Sequence, residues 1–238
     1  MRITNLRAYL LSDPSNGKAH WVSHFKVPRA NELLVILDTD EGIEGFGLAT
    51  SYTDISPLVD TLTTGLTDFI IGADPLSPEQ IYNDIFSTTW KRISFERGWS
   101  REALVRLSAA VDIACWDIIG KKANLPLYRL MGGWSHEVPY YVTCAYYQDG
   151  KDLGALRDEM EQLKSQGHTK FKAKIGGLSL ESDIDRLETI RDVIGFDADL
   201  MVDVNRAWDL KTAIRATELL APLKPRWLEE PLRWTDDR

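Results

Sequence analysis

The chain has 238 residues, of which 44% are hydrophobic, and its formal net charge is −8. This length and apolar content are enough for a large buried core, so we expect a folded protein of one or two domains. The acidic balance and the lack of a basic cluster argue against nucleic acid as a partner. No apolar run reaches the roughly 18 to 20 residues that cross a bilayer, and the N-terminus lacks a signal-peptide core, so we expect a cytoplasmic protein without membrane contact.

The N-terminal part predicts a small antiparallel sheet. Residues 2–10 alternate apolar and polar side chains, and residues 32–39 and 44–50 flank the turn Asp40-Glu41-Gly42. The two cysteines, Cys115 and Cys144, lie in apolar segments without metal-ligand spacing. We expect both to be buried free thiols.

A long loop, residues 12–30, separates the first two predicted strands. It contains His20 and His24 without a periodic apolar pattern. Long loops in compact domains tend to be functional, so both histidines are candidate substrate-binding residues. Incidental histidines on a surface loop are an equally good interpretation. Tyr52, after the third predicted strand, is a further candidate that could form a second wall of the same covering loop.

Three helices are predicted next, and each begins at a serine. Ser56-Pro57, Ser77-Pro78 and Ser100-Arg101 are typical helix starts. The third helix, residues 102–122, is the longest, and its small residues Ala109, Ala110 and Ala114 permit close packing. Its apolar stripe consists of Leu104, Leu107, Ser108, Val111, Ala114, Cys115 and Ile118.

The remaining chain repeats a strand followed by a helix, which is typical of a parallel β/α barrel. We therefore predict an α+β capping domain in residues 1–133 and a partial barrel in residues 134–238. Four strands cannot close an eight-stranded barrel. The predicted strands are residues 138–147, 171–176, 199–205 and 226–231, and the predicted helices are residues 152–166, 181–194 and 210–220.

Charged and amide side chains stand at the ends of three of these strands. Side chains alternate along a strand, so Lys172 and Lys174 share one face, as do Asp203 and Asn205. Glu229 occupies the matching place on the last strand. Polar groups at the carboxyl ends of barrel strands usually carry chemistry, so we expect these five side chains to converge in a site.

Simpler interpretations exist for each strand taken alone. The two lysines could protect an exposed sheet edge, and this would be the better interpretation of an isolated Lys-x-Lys. Asp203 and Asn205 could orient the loop that follows them. Glu229 could be a polar strand end. A shared site is favoured because it explains all three strands together.

These motifs resemble the enolase superfamily. The resemblance is carried by the helix Leu104–Asp117, the run ending in Gly132-Gly133, and the three strand ends, and the Lys-x-Lys pair resembles the mandelate racemase subgroup. It covers nearly the whole chain. It implies an α/β protein in which an enolase-like α+β capping domain precedes the first half of a (β/α)7β TIM-like barrel.

The resemblance also implies a Mg²⁺-dependent enzyme that removes the proton α to a carboxylate and stabilises the resulting enediolate on the metal. Carried over residue by residue, Asp203 and Glu229 are metal ligands and Lys174 is the acid/base. Lys172 lies near the substrate carboxylate, and Asn205 contacts a substrate hydroxyl. The third metal ligand of the family, and the histidine-aspartate dyad of the subgroup, have no counterpart in these 238 residues. A homo-oligomer is expected.

Elementary chemistry agrees with this assignment. A C–H bond beside a carboxylate is very weakly acidic, so its cleavage needs a cation where negative charge develops. Mg²⁺ prefers oxygen ligands, which Asp203 and Glu229 provide. A second ammonium and a metal cation beside Lys174 would disfavour its charged form and so favour its action as a base.

The reaction itself stays open between several alternatives. We expect a sugar-acid dehydratase acting on a small carboxylate, while a racemase or epimerase of an α-hydroxy acid would share the first half-reaction. An inactive truncated fragment is the alternative from another class, because half of the site would be missing. A Schiff-base aldolase using Lys174 alone would leave Asp203 and Glu229 without a role.

Overall fold

The structure is a computed structural model that describes residues 1–11, 20–26, 32–51 and 54–235. The described chain forms two compact units. The first contains residues 1–11, 32–51 and 54–136, and the second contains residues 20–26 and 137–235. The segment 20–26 therefore packs with the second unit. The predicted domain bounds of 1–133 and 134–238 stay a prediction.

The strands and helices follow the predicted order. The strands are β1 Ile3–Leu11, β2 His20–Trp21, β3 Glu32–Thr39, β4 Glu44–Thr50, β5 Val142–Cys144, β6 Tyr147–Gln148, β7 Lys170–Lys174, β8 Asp199–Asp203 and β9 Leu228–Glu229. The helices are α1 Pro57–Asp60, α2 Thr67–Ile70, α3 Pro78–Phe86, α4 Arg92–Arg97, α5 Arg101–Ala123, α6 Leu127–Leu130, α7 Leu153–Ser165, α8 Leu180–Ile194 and α9 Leu210–Leu220.

The first unit is an antiparallel sheet in the order β1-β3-β4, packed against α5 and shorter helices. The predicted strands 32–39 and 44–50 are confirmed at both ends. The first predicted helix begins at Pro57 as expected, and a π-helical turn follows α1 before α2 begins. Sequence reasoning missed α4 altogether.

Helix α5 has a capping residue at each end. The Ser100 hydroxyl accepts a hydrogen bond from the Ala103 backbone N–H at 3.1 Å, which satisfies a free donor of the first turn. Asn124 closes the helix in the left-handed conformation, with φ of +53°. The whole predicted apolar stripe of α5 is buried. Ala109 is the exception among the small residues expected to pack closely, since it is exposed.

The second unit is a parallel sheet in the order β5-β7-β8-β9, covered by α7, α8 and α9. Each helix begins at a side-chain cap, provided by Asp152, Ser179 and Asp209. The side chains of Ala173 in β7 and of Val204, the residue after β8, face these helices and are fully buried, as their alternation predicted.

All four strands of the parallel sheet are shorter than predicted, and β5 and β9 differ most from their predicted ranges. The predicted strand 138–147 is broken at Ala145, whose φ of +56° is incompatible with an extended strand. Its last part, β6, leaves the parallel sheet and pairs antiparallel with β2 of the 20–26 segment. The predicted strand 226–231 is reduced to the two residues of β9.

Both cysteines are free and buried, as expected. Burial raises the pKa of each thiol to about 12. Within the described residues, no helix combines the length and the apolarity that a bilayer crossing would need.

Candidate active site

Sheet register places three ionisable side chains side by side. In the parallel sheet Lys174 of β7 is paired with Asp203 of β8, and Asp203 is paired with Glu229 of β9. Paired residues of parallel strands point to the same side of a sheet. Lys172 lies two residues before Lys174, so it shares this side, which faces away from the helices.

The four charged groups and one amide form a connected cluster, called here the lysine–carboxylate cluster. The Lys174 Nζ donates to Asp203 Oδ2 at 2.6 Å and to Asn205 Oδ1 at 3.0 Å. The Lys172 Nζ donates to Glu229 Oε1 at 2.8 Å and lies 3.3 Å from Asp203 Oδ2. The structure therefore brings together the five residues that the sequence placed at strand ends.

Three of the four charged groups are buried, Glu229 is half-buried, and the charges of the cluster stabilise one another. Asp203 is 2% exposed, while Lys172 and Lys174 are 9% and 8% exposed. Burial opposes ionisation of Asp203, but the hydrogen bond from Lys174 and the charges of both lysines outweigh it, so the pKa of Asp203 lies below its usual value. Burial also opposes the charge of Lys172, but Glu229 and Asp203 outweigh it and raise the pKa of Lys172.

Asn205 reaches the cluster by a route that the sequence did not predict. Strand β8 ends at Asp203, and Asn205 adopts the left-handed conformation with φ of +50° instead of continuing the strand. Its backbone N–H donates to Asp203 Oδ1 at 3.0 Å. The interpretation of Asp203 as a residue that orients its own loop is thus also true, and this turn directs the Asn205 amide towards Lys174.

Aromatic side chains that sequence reasoning missed surround the cluster. Lys172 Nζ lies 5.3 Å from the centre of the Tyr141 ring, and Lys174 Nζ lies 5.8 Å from that of Tyr146. The Trp227 indole N–H donates to Glu229 Oε2 at 3.0 Å. Trp227 lies two residues before Glu229, the spacing that places two strand side chains on one face, so the alternation already applied to the lysines could have found it.

The 20–26 segment lies against the same unit through aromatic contacts. Trp21 stacks on Tyr147 with ring centres 4.5 Å apart, and His20 meets Tyr146 edge-to-face at 5.0 Å. Gly177 makes the stack possible, because a Cβ there would lie 2.7 Å from the Tyr147 ring.

The remaining substrate-binding candidates, His20, His24 and Tyr52, have different surroundings in the structure. His20 adjoins the ring of Tyr146, which also adjoins Lys174. His24 is exposed, and its Nδ1 is 2.8 Å from the Ser23 hydroxyl. Tyr52 lies outside the described residues.

The two carboxylates fit a shared cation. A single ammonium, that of Lys172, contacts both Asp203 and Glu229, so the two carboxylates lie within reach of one positive centre. Among the described residues there is no group of three or more His, Cys, Asp or Glu side chains suited to a metal. Mg²⁺ is commonly held by one or two carboxylates together with water or substrate oxygens, so a two-carboxylate site suits it.

Sequence models of two known protein domains together match most of the chain. The sequence model of the mandelate racemase / muconate lactonizing enzyme N-terminal domain matches residues 7–132. The model described as enolase C-terminal domain-like matches residues 155–238.

Individual relatives differ in the reaction they carry out. Arabinonate dehydratase of Saccharolobus solfataricus is 33% identical over 83% of this chain and 51% of its own length. N-succinyl-L-Arg/Lys racemase of Bacillus cereus is 29% identical over 98% of this chain and 60% of its own length. The chain thus spans about half to three fifths of these relatives.

A solved structure supports the fold over the same extent. A racemase from Streptomyces coelicolor A3(2), crystallised with bound magnesium, superimposes with a TM-score of 0.83 at 28% identity. The match covers 97% of this chain and 63% of the racemase.

Proposed function

The chain belongs to the mandelate racemase / muconate lactonizing enzyme family of the enolase superfamily, and from this premise we propose that its natural polypeptide is a Mg²⁺-dependent sugar-acid dehydratase. The observation that carries the proposal is the convergence of two lysines, two carboxylates and one amide at the ends of three neighbouring parallel strands. The dehydratase and the racemase among its relatives support the general reaction class.

The burial of the cluster supports a catalytic role over a structural one. Burying the charges of Asp203, Lys172 and Lys174 costs much of the free energy that their mutual attraction returns, so these ion pairs contribute little to stability. Clusters of this kind are typical of functional sites. Despite its burial, Asp203 keeps a pKa below its usual value, so it is a carboxylate at neutral pH, the form that a metal ligand needs.

Each side chain has a role in the proposed reaction. Mg²⁺ held by Asp203 and Glu229 would supply positive charge to the substrate carboxylate. Lys174, in its amine form, takes the α-proton, and its contact with Asn205 fixes the direction of its Nζ. Asn205 also binds a substrate hydroxyl, and Lys172 binds the substrate carboxylate. Loss of the β-hydroxyl as water, with a proton from a second acid, completes the dehydration.

The test is α-proton exchange in deuterated water, followed by NMR on a panel of sugar acids. We expect exchange with Mg²⁺ and none after chelation. Lys174→Ala and Asp203→Asn should each lower the rate by at least about 100-fold, since each removes a group that acts in proton transfer or charge stabilisation. Lys170→Ala is the matched control on β7, and we expect it to retain the rate. Exchange that survives in Lys174→Ala would contradict the assigned base.

A racemase or epimerase is the second candidate, favoured by the racemase relative that matches 98% of this chain. Product analysis separates the two reactions. A dehydratase releases a 2-keto-3-deoxy acid, whereas a racemase returns both configurations of the substrate with deuterium at the α-carbon.

The inactive-fragment alternative is tested by mass. The intact mass of the natural polypeptide is compared with the 27.0 kDa of these 238 residues. A larger mass with exchange activity supports the proposal, and a 27.0 kDa polypeptide without exchange supports the fragment.

A further inference from the structure

A polar pocket lies beside the lysine–carboxylate cluster and has no role in the chemistry proposed above. It has a volume of about 540 Å³ and is called here the arginine pocket. Arg206 directly follows Asn205, which the Lys174 ammonium contacts, so the arginine pocket adjoins the cluster. Its lining includes Ser23, His24, Gly176, Arg206 and Arg233.

The charge of the arginine pocket suits an anion. Its lining includes two guanidinium groups and one imidazole, and none of its described lining residues is acidic. Two carboxylates lie nearby. Glu230 Oε2 is 3.7 Å from Arg206 Nε, which is too long for a hydrogen bond. Asp209 caps α9, and the pKa of its carboxyl is lowered by the hydrogen bonds from Thr212 first and by the charge of Arg233 least.

Arg206 is held in this pocket by an unusual backbone. Its φ is +67°, a left-handed conformation that residues with a Cβ rarely adopt, and Asn205 before it is also left-handed. The Arg206 backbone N–H donates to the Glu230 carbonyl at 2.7 Å, which fixes this turn to the chain after β9.

The Arg206 side chain also has an unsatisfied donor. Its Nε atom is buried and has no hydrogen-bond acceptor among the described residues. Buried donors are nearly always paired in native proteins, and backbone strain clusters at functional sites. The Nε atom itself is closed to solvent, but the Arg206 side chain as a whole is 38% exposed, so a ligand in the pocket would meet the exposed part of the guanidinium group.

We propose that the arginine pocket binds a second carboxylate of the substrate, so that the protein acts on dicarboxylic rather than monocarboxylic sugar acids. This inference rests on the proposed function, in which Lys172 and the metal bind the carboxylate beside the reacting carbon. Arg206 and Arg233 remain for the carboxylate at the far end of the molecule. Guanidinium groups are well suited to this, because they bind carboxylates through two parallel hydrogen bonds.

The experiment measures binding by calorimetry with Mg²⁺ present, using the natural polypeptide and pairs of sugar diacids and monoacids of matched configuration. The preferred diacid should bind at least about tenfold more tightly than its monoacid. Arg206→Gln and Arg233→Gln should each weaken diacid binding by about 10- to 100-fold and monoacid binding by less than about twofold. Arg157→Gln, an exposed arginine of α7 paired with Asp192, is the matched control and should change neither.

A second variant separates binding from folding. Arg206→Gly relieves the left-handed strain and should melt no lower than the wild type, yet it should lose the diacid preference as Arg206→Gln does. Two results would overturn this inference while leaving the proposed function intact, provided that α-proton exchange persists. In the first, the wild type binds the diacid and the monoacid of every pair equally well. In the second, the glutamine variants weaken the binding of both acids equally. A wild type that binds and exchanges none of the acids would overturn the proposed function together with it.

Discussion

At the scale of single residues, Asp183 shows how the loop after strand β7 is held. This carboxylate of α8 is 1% exposed and accepts hydrogen bonds from the Gly176 backbone N–H at 2.7 Å and from the Tyr147 hydroxyl. That hydroxyl in turn accepts one from the Gly177 N–H at 3.0 Å. Burial raises the pKa of Asp183 and, together with the Asp183 charge, that of Tyr147. The loop after β7 is thus tied to β6 through one buried carboxylate.

We predict that Asp183→Asn lowers the free energy of unfolding by about 1 to 3 kcal/mol, because an amide nitrogen cannot accept one of the two hydrogen bonds. The pKa of Asp183 is raised above 3.8, so its contribution is fully present below that pH and is lost as pH rises through its folded-state pKa. Asparagine does not ionise. The stability difference from the wild type should therefore be larger at pH 4.5 than at pH 7.5 in urea unfolding.

Asp185→Asn is the matched control, since Asp185 is an exposed carboxylate of the same helix. It should change stability by less than about 0.5 kcal/mol. A difference that grows as the pH rises would contradict the burial argument for Asp183.

At the scale of elements, strand β4 packs against helix α5 without side chains at two positions. Gly45 and Gly47 are buried, and they alternate with exposed residues along the strand. A Cβ at Gly47 would lie 1.8 Å from the Ala110 carbonyl oxygen, and one at Gly45 would lie 2.1 Å from that of Ala114. The small residues of α5 and the glycines of β4 therefore allow the backbones of strand and helix to approach closely.

We predict that Gly47→Ala destabilises the first unit by about 1 to 3 kcal/mol, because the strand and the helix must separate to admit the methyl group. Chemical unfolding followed by circular dichroism measures the change. Leu48→Ala is the control at the neighbouring exposed position, and we expect less than about 1 kcal/mol there. An unchanged midpoint in Gly47→Ala would show that the packing of α5 on β4 is looser than described.

At the scale of the whole molecule, the residues that the structure describes form two hydrophobic cores, one in each unit. In the second unit β5 and β9 are the outer strands of the four-stranded sheet. Three aromatic side chains near the amino ends of these strands are exposed, with exposed fractions of 63% for Tyr140, 40% for Tyr141 and 37% for Trp227. Sheet edges and exposed aromatic surface both favour association with another chain.

We predict that a polypeptide of residues 1–238 alone self-associates at micromolar concentrations. Light scattering after size exclusion should give a mass above the 27.0 kDa monomer that rises with concentration. Tyr140→Lys should reduce the association, because it places a charge among the exposed aromatic rings. Ile214→Lys, on an apolar position of α9 that is 56% exposed, is the control and should have little effect. A monomer at all concentrations would contradict the prediction.

The residue pattern by itself determined the elements whose signals are local. The bounds of β3, β4 and α9, and the start of α3 at Pro78, follow from alternation, helical periodicity and serine, aspartate or proline at helix starts. These signals act between residues close in sequence, so they need no knowledge of the fold. The same alternation placed Lys172 and Lys174 on one face and pointed Ala173 towards the core.

The tertiary structure alone decided how distant segments meet. After the break at Ala145, strand β6 pairs with β2, and Trp21 stacks on Tyr147 although the two residues lie far apart in the chain. The left-handed turns at Asn205 and Arg206 are held by contacts with Asp203 and Glu230. Such conformations are intrinsically unfavourable and persist only where surrounding contacts outweigh their strain. Local sequence could therefore predict which side chains meet at the candidate site, but not the turn that directs Asn205 towards Lys174.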